Sequence, residues 1–282
     1  MENKSWRIMP PKIDDLGVAL NALKEFRKYS ISLHHERFIF PFLCGSYFTY
    51  RKVDVERITS IAKAISKDPT YLDVGCGYGD FLEKIIQYLP NAEGMEKSAD
   101  IFFKLGRYKP DYIKIGDAYN GIEKKYDLIF VGWMEPGVDY RDKIAASTDV
   151  IITTLDQGGQ CGMNGECEMD EYGFEKIASW ITPSWDDINT EITNKYYSKI
   201  SNKTIEFLKQ LRGAHNLWYV YSRPKYKDII KETLRKCLHD ERQREIHAYE
   251  FEKVLDDVGY GYLESIKTIN KNYQLWNIDF RS

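Results

Sequence analysis

The chain has no CxxC pair, no apolar run near the length of a bilayer span and almost no excess of charge. Its five cysteines, Cys44, Cys76, Cys161, Cys167 and Cys237, are odd in number and scattered. That pattern implies neither a disulfide framework nor a zinc knuckle. Cys161 and Cys167 share a glycine-bearing loop and are the one pair with a metal-ligand reading. No segment reaches the roughly 18 apolar residues that a membrane span needs. Residues 1–11 lack the apolar run of a signal peptide, so the expected compartment is the cytoplasm, with no membrane span. A net charge of −3 and a pI near 6.0 argue against a binder held to nucleic acid mainly by charge. A local basic groove stays compatible with these values.

Strand and helix signals alternate from residue 52 to 155. Val55, Ile58, Ala62 and Ile65 recur at helical spacing within 53–66. A strand is expected at 71–74, a helix at 79–88 and a second strand at 91–96. Ser98 suits the N-cap of a helix through Phe102 and Leu105. Further strands are expected at 112–115, 126–131 and 150–154. Such βαβ alternation predicts a doubly wound, mostly parallel sheet with ligands at the carboxyl ends of its strands.

The rhythm breaks after Leu155. Residues 156–165 form a polar, glycine-rich loop. Helices are expected through Phe174, Ile177 and Trp180, from Ser184 onward, and through Ile205, Leu208 and Leu211. Residues 216–221 read as a strand or a buried segment. Pro224 suits the first turn of a helix through Ile229, Ile230 and Leu234. Phe251, Val254, Leu255 and Val258 then recur at helical spacing before Gly259. Residues 262–269 and 273–280 read as an antiparallel pair. The resulting division is an N-terminal helical cap (1–51), an α/β core (52–155 and 246–282) and a mostly helical insertion (156–245). A segment that long within a compact fold suggests an acceptor-site lid.

The densest chemical signal is Asp73-Val74-Gly75-Cys76-Gly77-Tyr78-Gly79, where a short apolar strand runs into a glycine turn that opens a helix. Three missing Cβ atoms allow a sharp bend and close approach of a ligand. A nicotinamide-binding turn needs its third glycine three residues after the second. Position 80 is Asp80 instead.

With Glu96 after the second strand and Gly116-Asp117-Ala118 after the third, the chain resembles the class I S-adenosylmethionine-dependent methyltransferases. The resemblance covers residues 52–155 and 246–282. It implies a doubly wound, mostly parallel seven-stranded sheet with an antiparallel C-terminal hairpin, and S-adenosyl-L-methionine as cofactor. It also implies that Asp73, Gly75, Cys76, Gly77 and Gly79 cradle that cofactor, and that Glu96, beside Lys97, accepts from the ribose hydroxyls. Asp117 accepts from the adenine amine, while Ala118 leaves room for the ring. Gly132 adds its carbonyl to the electronegative wall, and Arg51 is placed to pair with the cofactor's carboxylate.

The acceptor is less legible. Methyl transfer is an in-line displacement, so alignment and exclusion of water dominate. The segment after the fourth strand supplies the catalytic candidates Trp133, Glu135 and Tyr140. It contains no Asn-Pro-Pro-Tyr or Asp-Pro-Pro-Tyr, which lowers the expectation of nucleobase amine methylation. Trp133-Met134-Glu135 weakly resembles a segment of protein arginine methyltransferases, but position 132 lacks that family's acid. Tyr172, Trp180, Trp185, Trp218 and Tyr219 either wall an acceptor pocket or form the insertion's own core. The leading expectation is an enzyme acting on a small-molecule acceptor. An RNA or protein acceptor is the alternative enzyme reading, and an inactive cofactor-binding scaffold is the alternative of another class.

Overall fold

The computed structural model describes residues 16–29, 50–103, 106, 108–132, 134, 138–156, 168–182, 215–243 and 277–281. Within them, every residue of strands β1 (Tyr71–Val74) and β4 (Leu128–Val131) is buried. Central parallel strands are covered on both faces and therefore read as continuous apolar runs. They lie between β2 (Ala92–Glu96) and β3 (Ile113–Ile115) on one side and β5 (Val150–Asp156) on the other. The full sheet also holds β6 (Glu175–Ile181), β7 (His215–Ser222) and β8 (Asp279–Phe280), in the order β3-β2-β1-β4-β5-β7-β6-β8.

The first five strands pair in parallel, with Asp73 level with Gly94 on one side and Phe130 on the other. Strand β7 runs antiparallel to both β5 and β6, so β6 again points with β5. Chain order reverses at β1, between β2 and β4. In such sheets the crevice beyond the carboxyl ends at that point is where ligands bind.

Helices α1 (Leu16–Arg27), α2 (Lys52–Ile65), α3 (Asp80–Ile86), α4 (Asp100–Phe103), α5 (Arg141–Ser147) and α6 (Lys227–Gln243) complete the described elements. The sheet has two apolar layers. On one face Val55, Ile58 and Ala62 of α2, with Ile230 and Leu234 of α6, pack with Phe130, Trp180 and Trp218. On the other, Ile144 and Ala145 of α5 pack with Val74, Val131 and Ile151. Ser98 acts as expected at the start of α4, its hydroxyl accepting from the Asp100 amide at 3.1 Å.

Three expectations change. The segment through Phe174, Ile177 and Trp180 is strand β6, not a helix. A bulge against β7 between Lys176 and Ala178 puts Ile177 and Ala178 in the core together. That breaks the two-residue alternation and leaves a three-residue spacing that imitates a helix. Secondly, the described parts of the stretch 156–245 contain strand as well as helix. It supplies both antiparallel partners β6 and β7, and α6, which matches the helix expected after Pro224. Thirdly, the sheet has eight described strands, because β6 joins it where a helix is expected, while Asp279 and Phe280, at the end of the strand expected at 273–280, pair with Ser179 and Ala178 on the outer side of β6. The helix expected at 251–258 and the strand at 262–269 lie outside the described residues.

Candidate active site

Strand β1 ends at Val74, and the chain then turns through Gly75, Gly77 and Gly79 with φ of 71°, 58° and 80°. All three lie in the left-handed region that only glycine enters without steric cost. At Gly79 a side chain meets a second obstacle, because a Cβ there would stand 2.7 Å from Cδ1 of Ile113. Backbone bonds tie the turn to β2: the amides of Gly75 and Cys76 donate to the Met95 carbonyl at 2.8 and 3.3 Å.

The carboxylate of Glu96 then closes the site from the end of β2. Its Oε2 accepts from the Gly77 amide at 2.9 Å, and its Oε1 from the Lys97 amide at 2.9 Å. Each carboxylate oxygen can accept twice, so the group holds the turn and keeps capacity for a diol. At the end of β3, Asp117 Oδ1 accepts from the Tyr119 amide at 3.0 Å, and Oδ2 lies 3.7 Å from Lys97 Nζ. Ala118, buried, opens the short 3-10 turn Ala118–Asn120. Thus Glu96 is bonded to the glycine turn, and Lys97 links the end of β2 toward Asp117 beyond β3.

Asp73, within β1 on the strand face shared with Tyr71, is only 2% exposed. Burial, then the neighbouring Asp80 and Glu96 carboxylates, push its pKa well above the ordinary carboxyl value. Such a concentration of negative charge suits a cationic ligand. It opposes the pyrophosphate of a dinucleotide, which would have to sit at the start of α3 beside Asp80. The residues present therefore fit S-adenosylmethionine, which carries a sulfonium, an ammonium and a ribose diol, better than NAD.

Other expected residues take different places. Cys76 is buried, and burial, with Asp73 and Glu96 nearby, pushes its thiol pKa up. Its sulfur packs toward β2, where a Cβ on Gly94 would come within 2.7 Å of it. Its side chain therefore fills the core behind the turn. Gly132 is buried after β4, and its carbonyl accepts from the Thr154 hydroxyl. Arg51 departs from its expected role. It is fully buried, and its guanidinium is committed to Asp54 at 3.0 Å and to the Ile181 carbonyl at 3.1 Å. A cation already neutralised inside the protein has little to gain from a bound carboxylate.

Tyr140 is 7% exposed and packs with Val131, Met134 and Met169. Trp180 and Trp218 are core residues, stacked at 5.7 Å. Trp133, Glu135, Trp185, Cys161 and Cys167 lie outside the described residues. Among the described residues no group of three or more His, Cys, Asp or Glu could hold a metal ion. No helix among them is long and apolar enough to cross a membrane.

Sequence reading missed Asp54, whose buried carboxylate gathers bonds from the start of α2 and the end of β6. The signal was present as an acid at the third position of α2, but nothing local distinguishes it from a solvated helix-start acid.

No protein-family model and no curated protein matches the sequence. Solved structures do match over part of the chain. CalS10, an amino pentose methyltransferase from Micromonospora echinaspora solved with SAM bound, is 21% identical with a TM-score of 0.30, over 36% of this chain and 49% of its own. The mitomycin 7-O-methyltransferase MmcR is 14% identical with a TM-score of 0.35, over 61% of this chain and 54% of its own. The cyclopropane synthase MmaA2 from Mycobacterium tuberculosis is 15% identical with a TM-score of 0.37, over 59% of this chain and 84% of its own. The chain spans about half the length of the first two. The mostly parallel sheet, its antiparallel strands beyond β5 and the glycine turn at the end of β1 together give this chain a Rossmann-like α/β fold.

Proposed function

We propose that the chain binds S-adenosylmethionine and transfers its methyl group to a small-molecule acceptor. The observation that carries the cofactor assignment is the convergence of Asp73, Glu96 and Asp117, at or near the ends of three neighbouring strands, around the turn from Gly75 to Gly79. When bound, S-adenosylmethionine supplies an electrophilic methyl group on a sulfonium. The turn lets the cofactor approach the backbone, Glu96 accepts from the ribose hydroxyls and Asp117 from the adenine amine. Asp73 and the Gly132 carbonyl face the positive end. Lys97 bridges toward Asp117 and bounds the adenine side.

The acceptor side is assigned to the segment after β4, where Trp133 and Glu135 stand, and to the stretch 157–167. In this reading Glu135 binds or orients the acceptor. The core position of Tyr140 leaves it supporting that segment from below. The 156–245 stretch, apart from its strands and α6, is proposed to cover the acceptor. The near-neutral charge of the chain favours a small acceptor over RNA.

Labelled S-adenosylmethionine, incubated with the protein and a fractionated extract, tests the assignment directly. Label in the small-molecule fraction supports it, and label in RNA or protein moves the acceptor to a macromolecule. Cofactor binding with no label in any fraction identifies an inactive binder. Glu135→Gln is expected to lower transfer several-fold and leave cofactor affinity unchanged; equal turnover removes its acceptor role.

A further inference from the structure

The first turn of α2 carries a buried polar centre that the proposed reaction does not use. Asp54 is fully buried, and its two oxygens accept from the Arg51 amide at 2.7 Å, the Arg51 Nε at 3.3 Å and NH2 at 3.0 Å, the Trp180 indole at 3.0 Å and the Thr182 hydroxyl at 3.0 Å. Thr182 in turn accepts from the Trp218 indole at 2.8 Å. One carboxylate therefore fastens the entry to α2, the end of β6 and, through Thr182, strand β7. Burying it costs several kcal/mol in general unless its lone pairs are satisfied. Here five donors satisfy them.

This centre reaches the glycine turn by two routes. Tyr50 precedes Arg51; its hydroxyl donates to the Asp80 carbonyl at 3.4 Å, and its ring meets Phe81 edge-on at 4.9 Å. Asp80 and Phe81 are the first two residues of α3, immediately after Gly79. The second route crosses the sheet face. Trp180 stacks on Trp218 at 5.7 Å, Trp218 on Phe130 at 5.8 Å, and Phe130 contacts Phe81 at 5.1 Å. The two routes meet at Phe81 and form a closed circuit of contacts from Asp54 to the start of α3 and back.

We propose that Asp54 is a positioning residue for the cofactor site, holding Tyr50 against Asp80 and Phe81 and so setting where α3 begins and where the glycine turn ends. Asp54 itself touches neither the turn nor the crevice. Its influence passes through Arg51 and Tyr50 on one side and through the row Trp180, Trp218 and Phe130 on the other. The inference rests on the proposed S-adenosylmethionine site. A second buried pair on the same helix provides the control. Arg57 and Glu241 bond at 2.8 and 2.6 Å between α2 and α6, and the Arg57 guanidinium lies 5.2 Å from the Trp180 ring centroid, so Glu241→Gln loosens packing beside the circuit while leaving every bond to Asp54 in place.

The test is calorimetric titration of S-adenosylmethionine into the wild type, Asp54→Asn, Trp180→Phe and Glu241→Gln, at a temperature where each is folded by circular dichroism. Wild-type binding reads the cofactor assignment, and the ratio of each variant to wild type reads positioning. Asp54→Asn is expected to weaken binding roughly 10- to 30-fold, the upper part of the range seen for couplings without ligand contact. Trp180→Phe, which keeps an aromatic ring and loses one bond to Asp54, is expected to weaken it roughly 2- to 5-fold. Glu241→Gln is expected to lower thermal stability and leave affinity unchanged. Should Asp54→Asn not fold, Trp180→Phe decides alone. Wild-type affinity in the folded variants, or a loss in Glu241→Gln as large as theirs, overturns the positioning role.

Discussion

The Gly77 amide donates to Oε2 of Glu96 at 2.9 Å, so the acid proposed to meet the ribose also holds the turn proposed to cradle the cofactor. One carboxylate thereby couples the shape of β1's turn to the end of β2. Glutamine keeps an oxygen for the Gly77 amide but replaces the other acceptor with a donor. Alanine removes both. Glu96→Gln is therefore expected to retain wild-type thermal stability and to weaken cofactor binding by about 1.5–3 kcal/mol, roughly 10- to 150-fold in Kd. Glu96→Ala is expected to lose stability as well, and parallel thermal melts and titrations separate the two effects.

Asp73 gives a pH dependence whose sign follows from its environment. Burial and the Asp80 and Glu96 carboxylates raise its folded pKa, so the folded chain binds this proton more tightly than the unfolded chain does. The associated stability is complete below the ordinary carboxyl range and is lost as pH rises through the raised value. Melts of the cofactor-free protein are expected to fall across that window. A cationic ligand favours the ionised form, so S-adenosylmethionine affinity is expected to rise over the same window with release of a proton. Asp73→Asn should flatten both trends, raise the melting temperature of the free protein near neutral pH and weaken binding at least about tenfold. Titrations in buffers of different ionisation enthalpy count the proton.

Gly94 tests the packing behind the turn. A Cβ at this position would stand 2.7 Å from Cys76 Sγ and 2.7 Å from Leu82 Cδ2. Both neighbours belong to the turn or to α3, so relief of the clash has to move the site. Gly94→Ala is expected to cost about 1–3 kcal/mol of stability and to weaken cofactor binding in the folded protein. Denaturant unfolding and calorimetry check the two parts.

Arg57 and Glu241 tie α2 to α6 with both side chains at most 4% exposed. Removing the acid leaves a guanidinium buried against the Trp180 ring, 5.2 Å from its centroid. Glu241→Ala is expected to destabilise the fold by about 3–5 kcal/mol. Denaturant midpoints measure the loss.

Much of this architecture was legible in local pattern. β1, β4 and β5 carry apolar runs bounded by glycine or polar turns, and α2 and α6 have clear helical spacing with recognisable starts. Asp73, the three glycines, Glu96 and Asp117 were legible because they stand at or just past the ends of expected strands. What escaped reading depended on distant partners. The bulge at Ile177 hid the period of β6, and only pairing with β7 and β8 reveals it as a strand. Arg51 read as a partner for the cofactor's carboxylate, since Asp54 and the Ile181 carbonyl, the latter 130 positions away, converge on it only in the fold. Trp180 and Trp218 looked equally suited to a pocket wall, and their stacking within the core is a tertiary fact.

The central claim is that the acidic turn from Gly75 to Gly79 takes a cationic methyl donor and not a dinucleotide. Isothermal titration of the full chain with S-adenosylmethionine and, separately, with NAD tests it most directly. The account predicts saturable micromolar-range binding of S-adenosylmethionine, abolished in Gly75→Arg, with no heat from NAD. Binding of NAD with no response to S-adenosylmethionine would contradict it.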